Sequence, residues 1–249
     1  MCTLSFGPAP EGYFVSFSRD ELRTRAAGLG PRAIERGGLR VVLPIDADAG
    51  GSWIAANEAG TTVALLNGYR FQSAQAERAP PEAGWITRGR LVVELSDAAD
   101  LGDVEGRIHG RDLWNFRPFE LAAFDSSGAA ALFSWNGIEL LRRELGPADR
   151  PLVSSSFDDP GVRQARRALF ARMVTPEAGE ADVVRFHTSH DPERGPYSPC
   201  MHRPDAQTVS FTLVRVSAAA VEMRHRPGSP CATEEEQCVR LTRAGATRP

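Results

Sequence analysis

MCTLSFGPAPEGYFVSFSRDE, residues 1–21, opens the chain with two alternating apolar runs, 2–6 and 12–17, separated by the turn-forming GPAPEG. Alternation broken by Gly and Pro is the signature of a β-hairpin. This hairpin starts on a thiol, Cys2, and ends on the charged run Arg19-Asp20-Glu21. If Phe6 pairs with Tyr13, Cys2 faces Phe17 and shares a sheet face with Arg19. A slip of one residue brings Asp20 to that face instead. Either register puts a charge within reach of the thiol. Once Met1 is removed, as expected before a small second residue, Cys2 carries a thiol and a free α-amine. The amine titrates at about 7.7–8.0 and the thiol near about 8.5, so the residue holds a nucleophile and its own base. A neighbouring Arg favours the thiolate and a carboxylate holds the ammonium. The plainer reading is a strand whose charged end is solvated.

Three more hairpins extend the pattern. Runs 52–56 and 61–67 flank NEAG, runs 119–124 and 130–135 flank DSSG, and runs 208–216 and 220–226 flank SAA. Four hairpins predict at least eight mostly antiparallel strands. The clearest helix is 158–174, with Asp158 or Asp159 as cap, Pro160 in the first turn and Val162, Ala165, Leu169 and Met173 as its apolar stripe. A second is predicted within 97–110 and a short third within 21–28. Two antiparallel sheets covered by helices are the natural arrangement for this inventory.

The 249 residues are 42% hydrophobic and 24% charged, and they read as one domain spanning 1–249 with a loosely packed tail from about residue 227. A net charge of −3 with mixed signs excludes a nucleic-acid or anionic-membrane footprint. No apolar run approaches the roughly 18 residues of a membrane span. Without a leader-like start the expected compartment is cytoplasmic, where four cysteines stay reduced. All 29 basic residues are Arg, which excludes a phosphate-loop Lys and a Schiff-base Lys.

Residues 187–203 hold His187, His190, Cys200 and His202, but in a Pro- and Gly-containing stretch that reads as a polar loop. Cys231 and Cys238 read as incidental tail thiols. No metal and no cofactor are expected. Trp53, Trp85, Trp114 and Trp135 are assigned to core packing, and Gly50-Gly51 to a turn feeding a strand.

With MCTLSF and GYFVSFSRDELRTRAAGLGP the chain resembles the Asn-Arg-Asp-Glu family of the transport and Golgi organisation type, with Ser18 in place of the motif's Asn. The likeness continues through 46–70 and 87–98, and in 151–170 and 201–211, so that it covers most of residues 1–225. That family is similar to the amino-terminal-nucleophile (Ntn) hydrolases, in particular the conjugated bile acid hydrolase and penicillin V acylase group. The resemblance implies an α+β fold, a four-layer αββα sandwich of two antiparallel sheets flanked by helices, with Cys2 as nucleophile. It implies that Arg19 and Asp20 position the amine and tune the thiol, that Asn67 helps form an oxyanion hole and that Arg203 lies near the nucleophile. At a second oxyanion position, where the hydrolases have Leu-Thr-Asn, this chain has Val153-Ser154-Ser155. The activity implied is hydrolysis of a small N-acyl compound. The alternative is a haem or lipid trafficking protein that keeps the fold without the chemistry.

Overall fold

The computed structural model describes residues 1–71, 79–175 and 178–243. Among these, thirteen strands form two antiparallel sheets. The first has the order β10-β1-β2-β11-β12-β13: β1 is Cys2–Ala9, β2 Gly12–Leu22, β10 Leu152–Ser154, β11 Ala206–Val216, β12 Ala220–Pro227 and β13 Gln237–Thr242. The second runs β3 to β9 in chain order: Leu29–Arg36, Leu39–Ile45, Ile54–Asn57, Thr62–Asn67, Phe119–Phe124, Ala130–Trp135 and Leu140–Glu144. Helices α1 (Gly89–Leu95) and α2 (Leu101–His109) cover the seven-stranded sheet. Helices α3 (Asp159–Met173) and α4 (Glu180–Thr188) cover the six-stranded one. All four expected hairpins form, and the architecture is the α+β sandwich expected.

Strand periodicity builds the layers. In β1, Cys2, Leu4 and Phe6 enter the core between the sheets, while Thr3 and Ser5 face the helices. In β2 the odd residues Tyr13, Val15 and Phe17 join that core, whereas Phe14, Ser18 and Asp20 turn to α3 and α4. The register is Phe6 opposite Val15, two residues from the expected pairing, and it sets Cys2 directly opposite Arg19. A shift of two preserves every face, so the expected side of the sheet survives the wrong partner.

Three expectations are corrected. Residues 21–28 form no helix: Glu21 and Leu22 complete β2, because Ala206 and Gln207 of β11 supply backbone partners for them. The tail expected to be loose contributes β13, which pairs along β12 and buries Leu241; residues 244–249 of that tail lie outside the described residues. Trp114 is half exposed and stacks edge-on against Trp135, whereas Trp53 and Trp135 are buried as assigned.

His187 is fully buried on α4 between the hydroxyls of Ser18 (2.8 Å) and Ser5 (3.0 Å), too far inside the layer to join the other residues of its run as a ligand. Burial, with Arg166 adding to it, lowers its pKa to about 3. The folded protein therefore holds it neutral, while the unfolded chain protonates it below about 6.5. Stability is fully present above that value and falls with pH down to about 3, by about 1.4 kcal/mol per pH unit for this group alone. Urea unfolding at pH 7, 6 and 5 checks this. A flat profile, or an equal slope in His187→Asn, would refute it.

Candidate active site

Cys2 lies at the start of β1, inside the six-stranded sheet between β10 and β2, with Ser154 opposite on one side and Arg19 on the other. The residue is only 8% exposed. Burial raises its pKa, and the nearby terminal ammonium and Arg19 work against that rise. A cavity of about 120 Å³ opens beside it, lined among others by Arg19, Asp20, Trp53, Asn67 and Arg88.

Arg19 is held rather than free. Its Nη2 donates to Asp46 Oδ2 (3.0 Å) and Glu21 Oε2 (3.3 Å), and its guanidinium sits 4.7 Å from the Trp53 ring. Arg25 closes the network by donating to both carboxylates. The cation beside Cys2 is thus pinned and partly neutralised.

Asp20 is on the other side of β2. Its carboxylate accepts from Arg166 Nη1 of α3 (3.1 Å) and from Thr208 Oγ1 of β11 (2.6 Å), and both charged side chains are completely buried. Arg166 also donates to the Thr3 hydroxyl. Only the Asp20 backbone addresses the chain start, donating from its N–H to the Met1 carbonyl (2.9 Å) and accepting from the Met1 amine (3.0 Å).

Asn67 ends β6 and faces the Cys2 cavity, where its Nδ2 donates to the Tyr69 hydroxyl (3.0 Å). The glycine expected to feed a strand has a sharper use: Gly51 packs on Gly89, the first residue of α1, so closely that a Cβ on Gly51 would lie 2.6 Å from the Gly89 carbonyl carbon. That approach lets Ser52 N–H reach Gly89 O (3.0 Å) and brings Arg88 to the cavity rim. Burial lowers the pKa of Arg88 and raises that of Tyr69.

Arg203 lines a second cavity of about 130 Å³, together with Met1, Asp20, Glu21 and Tyr69. Met1, only 7% exposed, stands between the two: its sulfur accepts from Ser155 Oγ (2.8 Å) and lies 4.0 Å from Arg203 Nη1. Ser155 thus touches Met1 without lining either cavity. The structure brings Cys2, Arg19 and Asn67 together around one cavity, puts Arg203 across Met1 from them, and turns the Asp20 carboxylate toward the helices.

Sequence reading missed Arg166, Thr208, Tyr69, Arg88, Asp46 and the position of Met1 between the two cavities. Arg166 did leave a signal. It occupies the apolar stripe of α3 between Val162 and Leu169, a position where a charge needs a buried partner.

No family model matches the chain, and no curated protein matches it in sequence. Solved structures match it in fold. A penicillin V acylase from Agrobacterium tumefaciens superposes with a TM-score of 0.50 at 13% identity, covering 90% of this chain and 82% of that one. A variant of conjugated bile acid hydrolase from Clostridium perfringens gives 0.55 at 12%, covering 99% and 97%. An N-acylethanolamine-hydrolyzing acid amidase ortholog from Caenorhabditis elegans gives 0.55 at 10%, covering 94% of each chain. The chain has the fold of these enzymes.

Proposed function

We propose that this chain is a cysteine amidohydrolase of the amino-terminal-nucleophile kind, acting on a small N-acyl compound once Cys2 is its first residue. The observation that carries the reading is the position of Cys2: first residue of an interior strand, opposite a pinned Arg19 and beside Asn67, on a fold that amide-cleaving enzymes share.

In this mechanism the α-amine takes the proton from the Cys2 sulfur as the sulfur attacks the amide carbonyl. The oxygen of the tetrahedral adduct gains negative charge, and Asn67 Nδ2 is a side-chain donor that lines the cavity for it. The C–N bond then breaks, the amine proton passes to the leaving nitrogen, and the acyl group remains as a thioester. Water, deprotonated by the same amine, releases the acid and restores the thiol. Arg19 favours the thiolate, whereas the Asp20 carbonyl accepts from the Met1 amine, an atom that leaves with Met1, so that bond does not pass to the Cys2 amine. Loss of Met1, which lines both cavities, removes the wall between them and opens Arg203 to substrate.

Kinship with the Asn-Arg-Asp-Glu family is part of the same proposal. Its motif position Ser18 bonds to His187 on the helix side, so the change from Asn falls outside the cavity. The carrier reading is not favoured, because it leaves the placement of Cys2 opposite Arg19 and in one cavity with Asn67 without a use.

The test is a panel of N-acyl amides incubated with protein whose first residue is Cys2, read by release of acid and amine and by an acyl mass on the Cys2 peptide. Asn67→Ala should lower kcat by about 100- to 1,000-fold with the fold intact. Absence of turnover and of any acyl adduct across the panel would reject the proposal, and an Asn67→Ala variant with unchanged kcat would remove that residue from it.

A further inference from the structure

Residues 189–205 leave α4 as an irregular segment and return to β11. They carry His190, Cys200 and His202 against a second loop, held by the Ser229 turn, that carries Cys231. One ligand atom from each of the four lies within 4.8 Å of every other. His190 Nε2 is 3.2 Å from His202 Nε2, Cys200 Sγ is 3.5 Å from it and Cys231 Sγ is 3.4 Å from it.

Hydrogen bonding does not account for this set. A neutral imidazole Nε2 offers one lone pair or one N–H, enough for one partner, and here three converge on the same atom. A tetrahedral cation does account for it. With Zn–N of about 2.0–2.1 Å and Zn–S of about 2.3 Å, the ligand edges are about 3.3 Å for N–N and about 3.5 Å for S–N. Both match the distances found.

We propose that His190, Cys200, His202 and Cys231 form a structural zinc site. Two nitrogens and two sulfurs in a closed four-ligand set suit a divalent ion of borderline softness and leave no position for substrate. Ligation takes neutral imidazoles and thiolates, so the metal binds with release of the thiol protons. This reverses the expectation of no metal, which set Cys231 aside as a tail thiol and counted His187 in its place.

The site ties the 189–205 segment to the loop after β12. Met201, between two ligands, packs on Met1 and Ala206, and its N–H donates to Thr208 Oγ1 (2.8 Å), the hydroxyl that in turn holds Asp20. The metal thus braces one wall of the Cys2 region without entering it.

Elemental analysis of full-length protein, purified with reductant from zinc-supplied cells, should find about one zinc per chain, falling below about a tenth in Cys200→Ser. Cys231→Ser, at an exposed position that tolerates change in the fold, should lower occupancy after dialysis in the same direction. Cobalt(II) added to metal-stripped wild-type protein should give tetrahedral visible bands and a near-ultraviolet thiolate-to-metal band that weakens in Cys231→Ser. These readouts do not depend on turnover. Metal-free protein with no cobalt-thiolate band overturns the proposal, and so does a Cys200–Cys231 disulfide that persists under reductant.

Discussion

Protein beginning at Cys2 is expected to take an acyl group on its sulfur from an activated N-acyl probe, while the same chain retaining Met1 is expected to remain unlabelled at pH 7. With Met1 attached, the nitrogen of Cys2 is a peptide nitrogen and accepts no proton, and burial holds the thiol above its ordinary pKa. The Met1 sulfur also fills the space between Ser155 and Arg203. Loss of a positioned base alone costs about 100- to 10,000-fold, and the blocked cavity adds to it. Cys2→Ser in the processed protein should fold and turn over negligibly, and Cys2→Ala should keep any non-covalent ligand. Equal labelling of processed and Met1-bearing protein, measured by intact mass over time, would mean that the amine is not the base.

Arg166→Met is expected to be the most destabilising single change near the site, at about 3–5 kcal/mol, because it leaves the Asp20 carboxylate buried with Thr208 as its remaining side-chain partner. The comparison that isolates the cause is Asp20→Leu combined with Arg166→Met. Removing both charges should recover part of the loss, since an uncompensated ion costs more than an absent pair. Denaturant unfolding measures both variants. A loss below about 1 kcal/mol in Arg166→Met would show that the pair is not what locks β1, β2 and α3 together.

The layers were legible in the sequence because each hairpin brings its own turn and its own alternation. The faces of β1 and β2 were legible for the same reason, although the partner of Cys2 was not. Register between two strands is settled by tertiary packing on both, here by β10 on one side and β11 on the other. The 21–28 segment misled because its spacing suits a helix, and only residues some 180 positions later turn Glu21 and Leu22 into strand. Asp20 misled in a more instructive way. The resemblance put it near the nucleophile, next to Arg19 in the motif, and alternation sent its carboxylate to the opposite face, where Arg166 and Thr208 wait. The four-residue cluster of His190, Cys200, His202 and Cys231 was hidden because its last member comes 29 residues after His202. Spacing rules for zinc ligands assume short loops.

The seven-stranded sheet is continuous in sequence from Leu29 to Glu144, whereas the six-stranded sheet takes its first hairpin from residues 2–22 and the rest from 152 onward. During translation the hairpin that carries the nucleophile is therefore made long before the strands that flank it. At about 5–20 residues per second, on the order of ten to forty seconds separate Cys2 from Thr208. Through that interval β1 and β2 form a ribbon with two open edges, one awaiting β10 and the other β11, and open edges are where chains pair wrongly. The intervening sheet meanwhile has all seven of its strands in the emerged chain, and it offers the ribbon an apolar face before its proper neighbours exist. A growing chain thus carries the thiol and the residues that line its cavity, all within 1–89, long before the strands that flank the hairpin exist.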